Sequence, residues 1–151
     1  MVLAGLKRNI FQRLLGIPAT RPPQDAGCWS RSGDRLTIEL QRAPELDDPG
    51  GAIRLEATDL PERVLVFRGS DDAFHAICNR CTHGRRRVDL VPDDETLQCC
   101  SIGRSTFDYE GHSLAGPGRD PLTIFPVHTE DGKLIVELGS SGTGADDSQR
   151  R

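Results

Sequence analysis

No apolar run in this chain is long enough to cross a bilayer, and residues 1–17 lack the uninterrupted apolar centre and small-residue cleavage site of a secretory signal. A cytoplasmic location with no transmembrane segment is therefore expected. A basic excess is also missing: nineteen Lys and Arg against twenty-three Asp and Glu give a net charge of -4. That balance argues against a nucleic-acid-binding domain and suits an acidic, soluble surface. No serine, histidine and carboxylate arrangement, phosphate-binding glycine loop, nucleotide fingerprint or internal repeat is present. At 151 residues the chain supports one domain with a modest core.

Against these absences stand five cysteines, at 28, 78, 81, 99 and 100. Their odd number speaks against a closed disulfide framework, and in a reducing compartment such thiols are metal ligands or redox groups more often than structural bridges. Four of the five fall between 78 and 100, in the same window as His83. The candidates for chemistry are confined to that window.

Residues 2–15 carry Val2, Leu3, Leu6, Ile10 and Leu14 at roughly helical spacing and read as a short amphipathic helix. Docking on a sheet edge is its simplest use. Lys7, Arg8 and Arg13 would also suit a peripheral contact with an anionic membrane surface. Pro18–Gly33, with three prolines and two glycines, reads as a linker or an irregular approach to the first strand. From Asp34 onward, short β-type runs follow: Leu36–Leu40, Ala52–Leu55, Val64–Phe67, Phe74–Ile77, Leu97–Cys99, Ser105–Tyr109, Leu122–Val127 and Leu134–Leu138. Turn signals such as Asp48-Pro49-Gly50-Gly51 and Asp131-Gly132 separate them. The expected organisation is a helix and linker over 1–33, a mainly β domain over 34–138 and a disordered tail over 139–151. Many short strands without convincing helices predict an antiparallel sandwich or small barrel.

Cys81-Thr82-His83-Gly84 is followed by Cys100-Ser101-Ile102-Gly103-Arg104-Ser105-Thr106-Phe107-Asp108, then by Gly111 and by Gly116-Pro117-Gly118-Arg119-Asp120-Pro121-Leu122. Over roughly residues 34–138 this resembles the Rieske [2Fe–2S] family, whose two ligand loops run C-x-H and C-x-x-H. The resemblance implies antiparallel sheets with a smaller cluster-binding subdomain presenting both loops at its tip. It implies that Cys81 and Cys100 hold the inner iron and His83 the outer one, and that Gly103 stands where the second histidine belongs. Ser101 replaces the usual proline of the second loop and Arg104 the usual glycine. Ser105 sits where some members place a serine that bonds to a cluster sulfur. The function implied is single-electron transfer with a protein partner, a reductase or oxidase component, in a domain with no room for the catalytic domain of the large oxygenases of this family.

Four accounts of the missing imidazole remain open. In the first a further thiolate is recruited, with Cys99 favoured over Cys78, although adjacent strand residues point to opposite faces and would turn Cys99 away from Cys100. In the second the outer iron takes water or a partner's side chain, as a redox sensor would. In the third a zinc ion sits among Cys78, Cys81, His83 and one of Cys99 or Cys100. In the fourth the metal is lost, leaving an interaction module. Cys78 beside Ile77 also reads as a buried apolar residue. His75, His112 and His128 read as surface or turn residues, Trp29 as packing, and Phe107 and Tyr109 as core. Arg85-Arg86-Arg87 reads as a solvated run or as a docking patch for an acidic redox partner.

Overall fold

Val64, Leu65, Val66 and Phe67 are consecutive and apolar, and a strand of such residues must bury both of its faces. The computed structural model, which describes residues 19–91, 94–100 and 103–139, shows how that is met. Twelve strands lie among the described residues: β1 Trp29–Ser32, β2 Arg35–Glu39, β3 Ala52–Leu55, β4 Val64–Arg68, β5 Phe74–Cys78, β6 Val88–Val91, β7 Thr96–Cys99, β8 Thr106–Asp108, β9 Ser113–Ala115, β10 Ile124–Phe125, β11 Val127–Glu130 and β12 Lys133–Glu137. They form three four-stranded sheets, ordered β1-β2-β12-β11, β10-β5-β4-β3 and β6-β7-β8-β9. Every pairing is antiparallel.

The sheet of β10-β5-β4-β3 is the middle layer. Val64 and Val66 of β4 pack with Leu36, Ile38, Leu134 and Val136 in one core, while Leu65 and Phe67 pack with Val88, Leu90, Leu97 and Phe107 in the other. Strand alternation thus feeds two cores from one strand. The second core lies under the smaller sheet β6–β9. The sheets do not close into a barrel. Helical structure among the described residues is of the 3-10 kind, in single turns at Ala26–Cys28, Leu40–Arg42 and Pro44–Leu46 and at Asp94. The helix expected over residues 2–15, with its membrane contact, and the tail from residue 140 lie outside the described residues. Among the described residues no helix is long and apolar enough to cross a membrane.

Three strands were not expected. Trp29–Ser32 pairs with β2 inside the segment read as an irregular approach, with Trp29 packed on the first core and Cys28 fully buried. Val88–Val91 follows the arginine run directly, and Ser113–Ala115 is short. The expected run Leu122–Val127 is split at Pro126, which lacks an amide donor. Ile124 and Phe125 join the middle sheet there, and Val127 onward joins the outer one. Asp131 and Gly132, both at positive φ (52° and 74°), close the β11–β12 hairpin as expected.

Candidate metal centre

Three loops leave the smaller sheet and its neighbour on the same side. The first, Cys81–Arg87, joins β5 to β6 and folds back on itself: Cys81 N–H donates to Arg86 O at 2.7 Å and Arg85 N–H to Cys81 O at 2.8 Å. Arg85 sits at φ 60° to make that turn. Buried Asn79 fastens the loop's ends, its Oδ1 accepting the Val88 amide at 2.7 Å. The backbone turn aims the His83 amide at the Cys81 sulfur, at 3.5 Å, and the Gly84 amide also donates to it. Such donors favour a thiolate. His83 itself is exposed.

The sulfur atoms do not gather as the ligand spacing alone suggests. Leu97 and Cys99 alternate inward along β7, so Cys99 joins Cys81 in the second core. There the Cys99 thiol hydrogen-bonds Cys81, and this contact, followed by burial, pushes the Cys81 thiol well above the ordinary cysteine range. Cys100 lies just past the strand end, fully buried, with its amide on Arg87 O at 3.0 Å; the Arg87 guanidinium is raised first by its hydrogen bond to Glu56, and Cys100 adds to that in a minor way. Among the described residues no three His, Cys, Asp or Glu side chains come together at metal-binding range. Cys81 and Cys99 are brought together, and among the described residues no third such side chain joins the pair at metal-binding range.

As a donor set these residues nonetheless suit an iron–sulfur group. Two buried sulfurs in contact share a proton that ferric iron would displace, and one of them already accepts backbone amides. Cys100 supplies a third thiol and His83 an imidazole. Gly103, exposed on the second loop, has no side chain to offer.

The third loop locks against the other two. Thr82 Oγ1 donates to Asp120 O at 2.9 Å, Gly118 N–H to buried Ser105 Oγ at 2.8 Å, and Ser113 Oγ to Gly118 O at 2.7 Å. A Cβ on Gly118 would lie 3.0 Å from Ser105 Oγ, 3.1 Å from Thr82 Oγ1 and 3.2 Å from Phe107 Cζ, so glycine is what lets three loops meet there. Arg104 holds φ 53° on the second loop.

Charged residues tie this tip to the middle sheet. Glu56, just after β3, accepts Arg87 Nε at 2.5 Å and Nη2 at 2.8 Å, and pairs with Arg54 at 3.1 Å. Those guanidiniums, Arg87 foremost, hold the Glu56 carboxyl down at about 2. Arg63 Nη2 donates to Arg85 O at 2.5 Å, and Arg80 pairs with Glu62 at 3.2 Å. Spacing gave no signal for Arg63 or Glu62, because their partners lie far away in sequence, and Thr82 and Gly118 stand out there only as members of the motif stretches, without a role of their own. Cys78 belongs to the first core, its thiol directed at Glu62 Oε1 (3.6 Å) and pushed up to about 11 by burial and that carboxylate. His75, His112 and His128 each meet a carboxylate instead of a thiol: Asp71 at 2.9 Å, Asp108 at 3.0 Å and Glu130 at 3.0 Å. His75 differs from the expected surface residue, being half-buried and stacked on Phe67 at 5.0 Å.

The Rieske [2Fe–2S] domain model matches residues 38–126. The 3-phenylpropionate/cinnamic acid dioxygenase ferredoxin subunits of Escherichia coli K12 and Shigella flexneri are each 33% identical over 102 residues, 66% of this chain and 92% of theirs. Among solved structures, a chain of the complex of reduced oxygenase and oxidized ferredoxin in carbazole 1,9a-dioxygenase superposes with a TM-score of 0.58 at 23% identity, covering 70% of this chain and 94% of that one. The ferredoxin of carbazole 1,9a-dioxygenase from Nocardioides aromaticivorans IC177 gives 0.54 at 20% identity, covering 74% and 98%. These two likenesses concern the fold.

Proposed function

We propose, from the premise that this chain belongs to the Rieske [2Fe–2S] domain family, that it is a single-electron carrier whose irons are held by Cys81, Cys100, His83 and, in place of a second histidine, Cys99. A bound [2Fe–2S] group supplies one reversible electron at a time. The observation that carries the ligand set is the Cys99 thiol lying against Cys81 in an otherwise apolar core. Three thiolates and one imidazole carry one more negative charge than two of each, which lowers the reduction potential. The His83 and Gly84 amides on Cys81, and Arg87 beside Cys100, offset part of that charge. Exposed His83 is the outlet toward a partner.

The protein's relatives named above are ferredoxin subunits of dioxygenases, and by that likeness we assign this chain an electron-carrying role between a reductase and an oxygenase. It is a component and not the catalyst. All five cysteines are free, which suits a reducing compartment such as the cytoplasm. We take residues 34–138 as the redox domain, with β1 as an added edge strand. The zinc alternative is disfavoured because Cys78 faces the first core and Cys81 the second.

Protein purified without oxygen should contain iron and labile sulfide, with visible absorption and a paramagnetic signal on reduction. Stoichiometric zinc without sulfide would overturn the assignment. Cys99→Ser should change the resonance spectrum of the reduced protein, and an unchanged spectrum would remove Cys99 from the ligand set.

A further inference from the structure

Seventeen of the nineteen basic residues are arginine, and three of them surround one cleft. Arg63, Arg80 and Arg85 line a depression of about 640 Å³ between the turn before β4 and the first metal loop. Arg80 and Arg85 also wall a second hollow of about 220 Å³ that runs past Cys81 toward Asp120. The carboxylates of the larger cleft are already committed: Glu56 to Arg87 and Arg54, and Glu62 to Arg80. Arg63 is held by the Arg85 carbonyl, and among the described residues neither Arg63 nor Arg85 meets a carboxylate. A chain of net charge -4 therefore presents a concave, arginine-walled site beside its metal loop.

We propose that this cleft receives an acidic segment of the redox partner, with Arg85 and Arg63 as the carboxylate-binding groups and Arg80 exchanging from Glu62 to the incoming side chain. Guanidinium forks bind carboxylates in two-point fashion, and a concave site strengthens that attraction over a flat one. The loop whose carbonyl Arg63 holds is the one that carries Cys81 and His83, so a partner docked here lies alongside the outlet for the electron. The proposal deepens the electron-carrier reading and rests on it for the identity of the partner.

The test is fluorescence anisotropy of a labelled oligoglutamate peptide against the metal-loaded protein, at low and high salt. Salt-sensitive binding is expected. Arg85→Glu should weaken it by about tenfold or more, while Arg35→Glu on the outer sheet leaves it unchanged. Equal losses in both variants, no loss in Arg85→Glu, or no binding at low salt would overturn the cleft. Competition by inorganic phosphate as effective as by unlabelled peptide would also overturn it, marking a small-anion site instead. Visible absorption of each sample separates the two readings: peptide binding without a cluster spectrum sinks the electron carrier, and a cluster without peptide binding sinks the cleft.

Discussion

Replacing Glu56 by glutamine should loosen the joint between the middle sheet and the metal loops, and the size of the effect follows from its surroundings. The carboxylate takes both Arg87 contacts and the Arg54 contact while only 24% exposed. Its pKa falls from 4.5 to about 2, a difference worth roughly 3 kcal/mol of stability at neutral pH. Residual exposure screens the pair, so roughly 2 kcal/mol is the expected loss in Glu56→Gln. A carboxyl with a depressed folded-state pKa stabilises fully above its unfolded value and progressively less as it protonates. The wild-type advantage should therefore be constant above about pH 5 and vanish as the pH falls from 4.5 toward 2. Urea unfolding of metal-free protein, followed through the single tryptophan, Trp29, measures this without metal release adding to the acid limb. Arg87→Gln should cost a similar amount, and the double variant less than the sum of the singles. Equal spacing between the wild-type and variant curves from pH 7 to pH 2.5, or additive losses in the double variant, would refute the ion-pair account.

Arg104→Gly should raise stability by about 0.5–1 kcal/mol in thermal or urea unfolding, because φ 53° strains an arginine and suits a glycine; a loss would mean that the Arg104 side chain does more than its backbone costs. Gly118→Ala should cost about 1–3 kcal/mol by forcing Ser105, Thr82 and Phe107 apart, and should speed bleaching of the visible absorption in air. Ser105→Ala removes the acceptor of the buried Gly118 amide and should cost about 1–3 kcal/mol, read from the unfolding midpoint. Cys78→Ser should leave the paramagnetic spectrum of the reduced protein as it is, in contrast to Cys99→Ser, since the Cys78 thiol points to Glu62.

Much of this fold is legible along the sequence where periodicity and turn chemistry agree. Ala52–Leu55 is a strand over the predicted residues, and the Val64 and Phe74 strands each extend one residue further. Val88–Val91 escaped because it abuts three arginines with no turn residue between. Trp29–Ser32 escaped because one apolar residue among polar ones carries no alternation. The break at Pro126 was readable from proline alone. In the metal window, spacing picks out Cys100, whereas strand alternation puts Cys99 with Leu97 on the inward face. The arginine run at 85–87 marks a candidate docking patch in the sequence, but the cleft that Arg63 builds with it does not show there, since residue 63 reaches residue 85 through a backbone carbonyl.

The strand order also sets a sequence of assembly as the chain leaves the ribosome. The sheet β6-β7-β8-β9 is a meander of consecutive neighbours within residues 88–115, and such local hairpins close quickly. The outer sheet needs β12, because Leu134 pairs with Ile38 and Glu137 with Arg35 across most of the chain. Synthesis delivers the whole meander, the metal loops with it, before that last partner exists. Until β12 arrives, the first core is open along β2 while the second can already be complete. Hydrogen-exchange labelling of a chain ending before Lys133 should therefore find the β6–β9 amides protected and the β2 amides that face β12 exchanging freely.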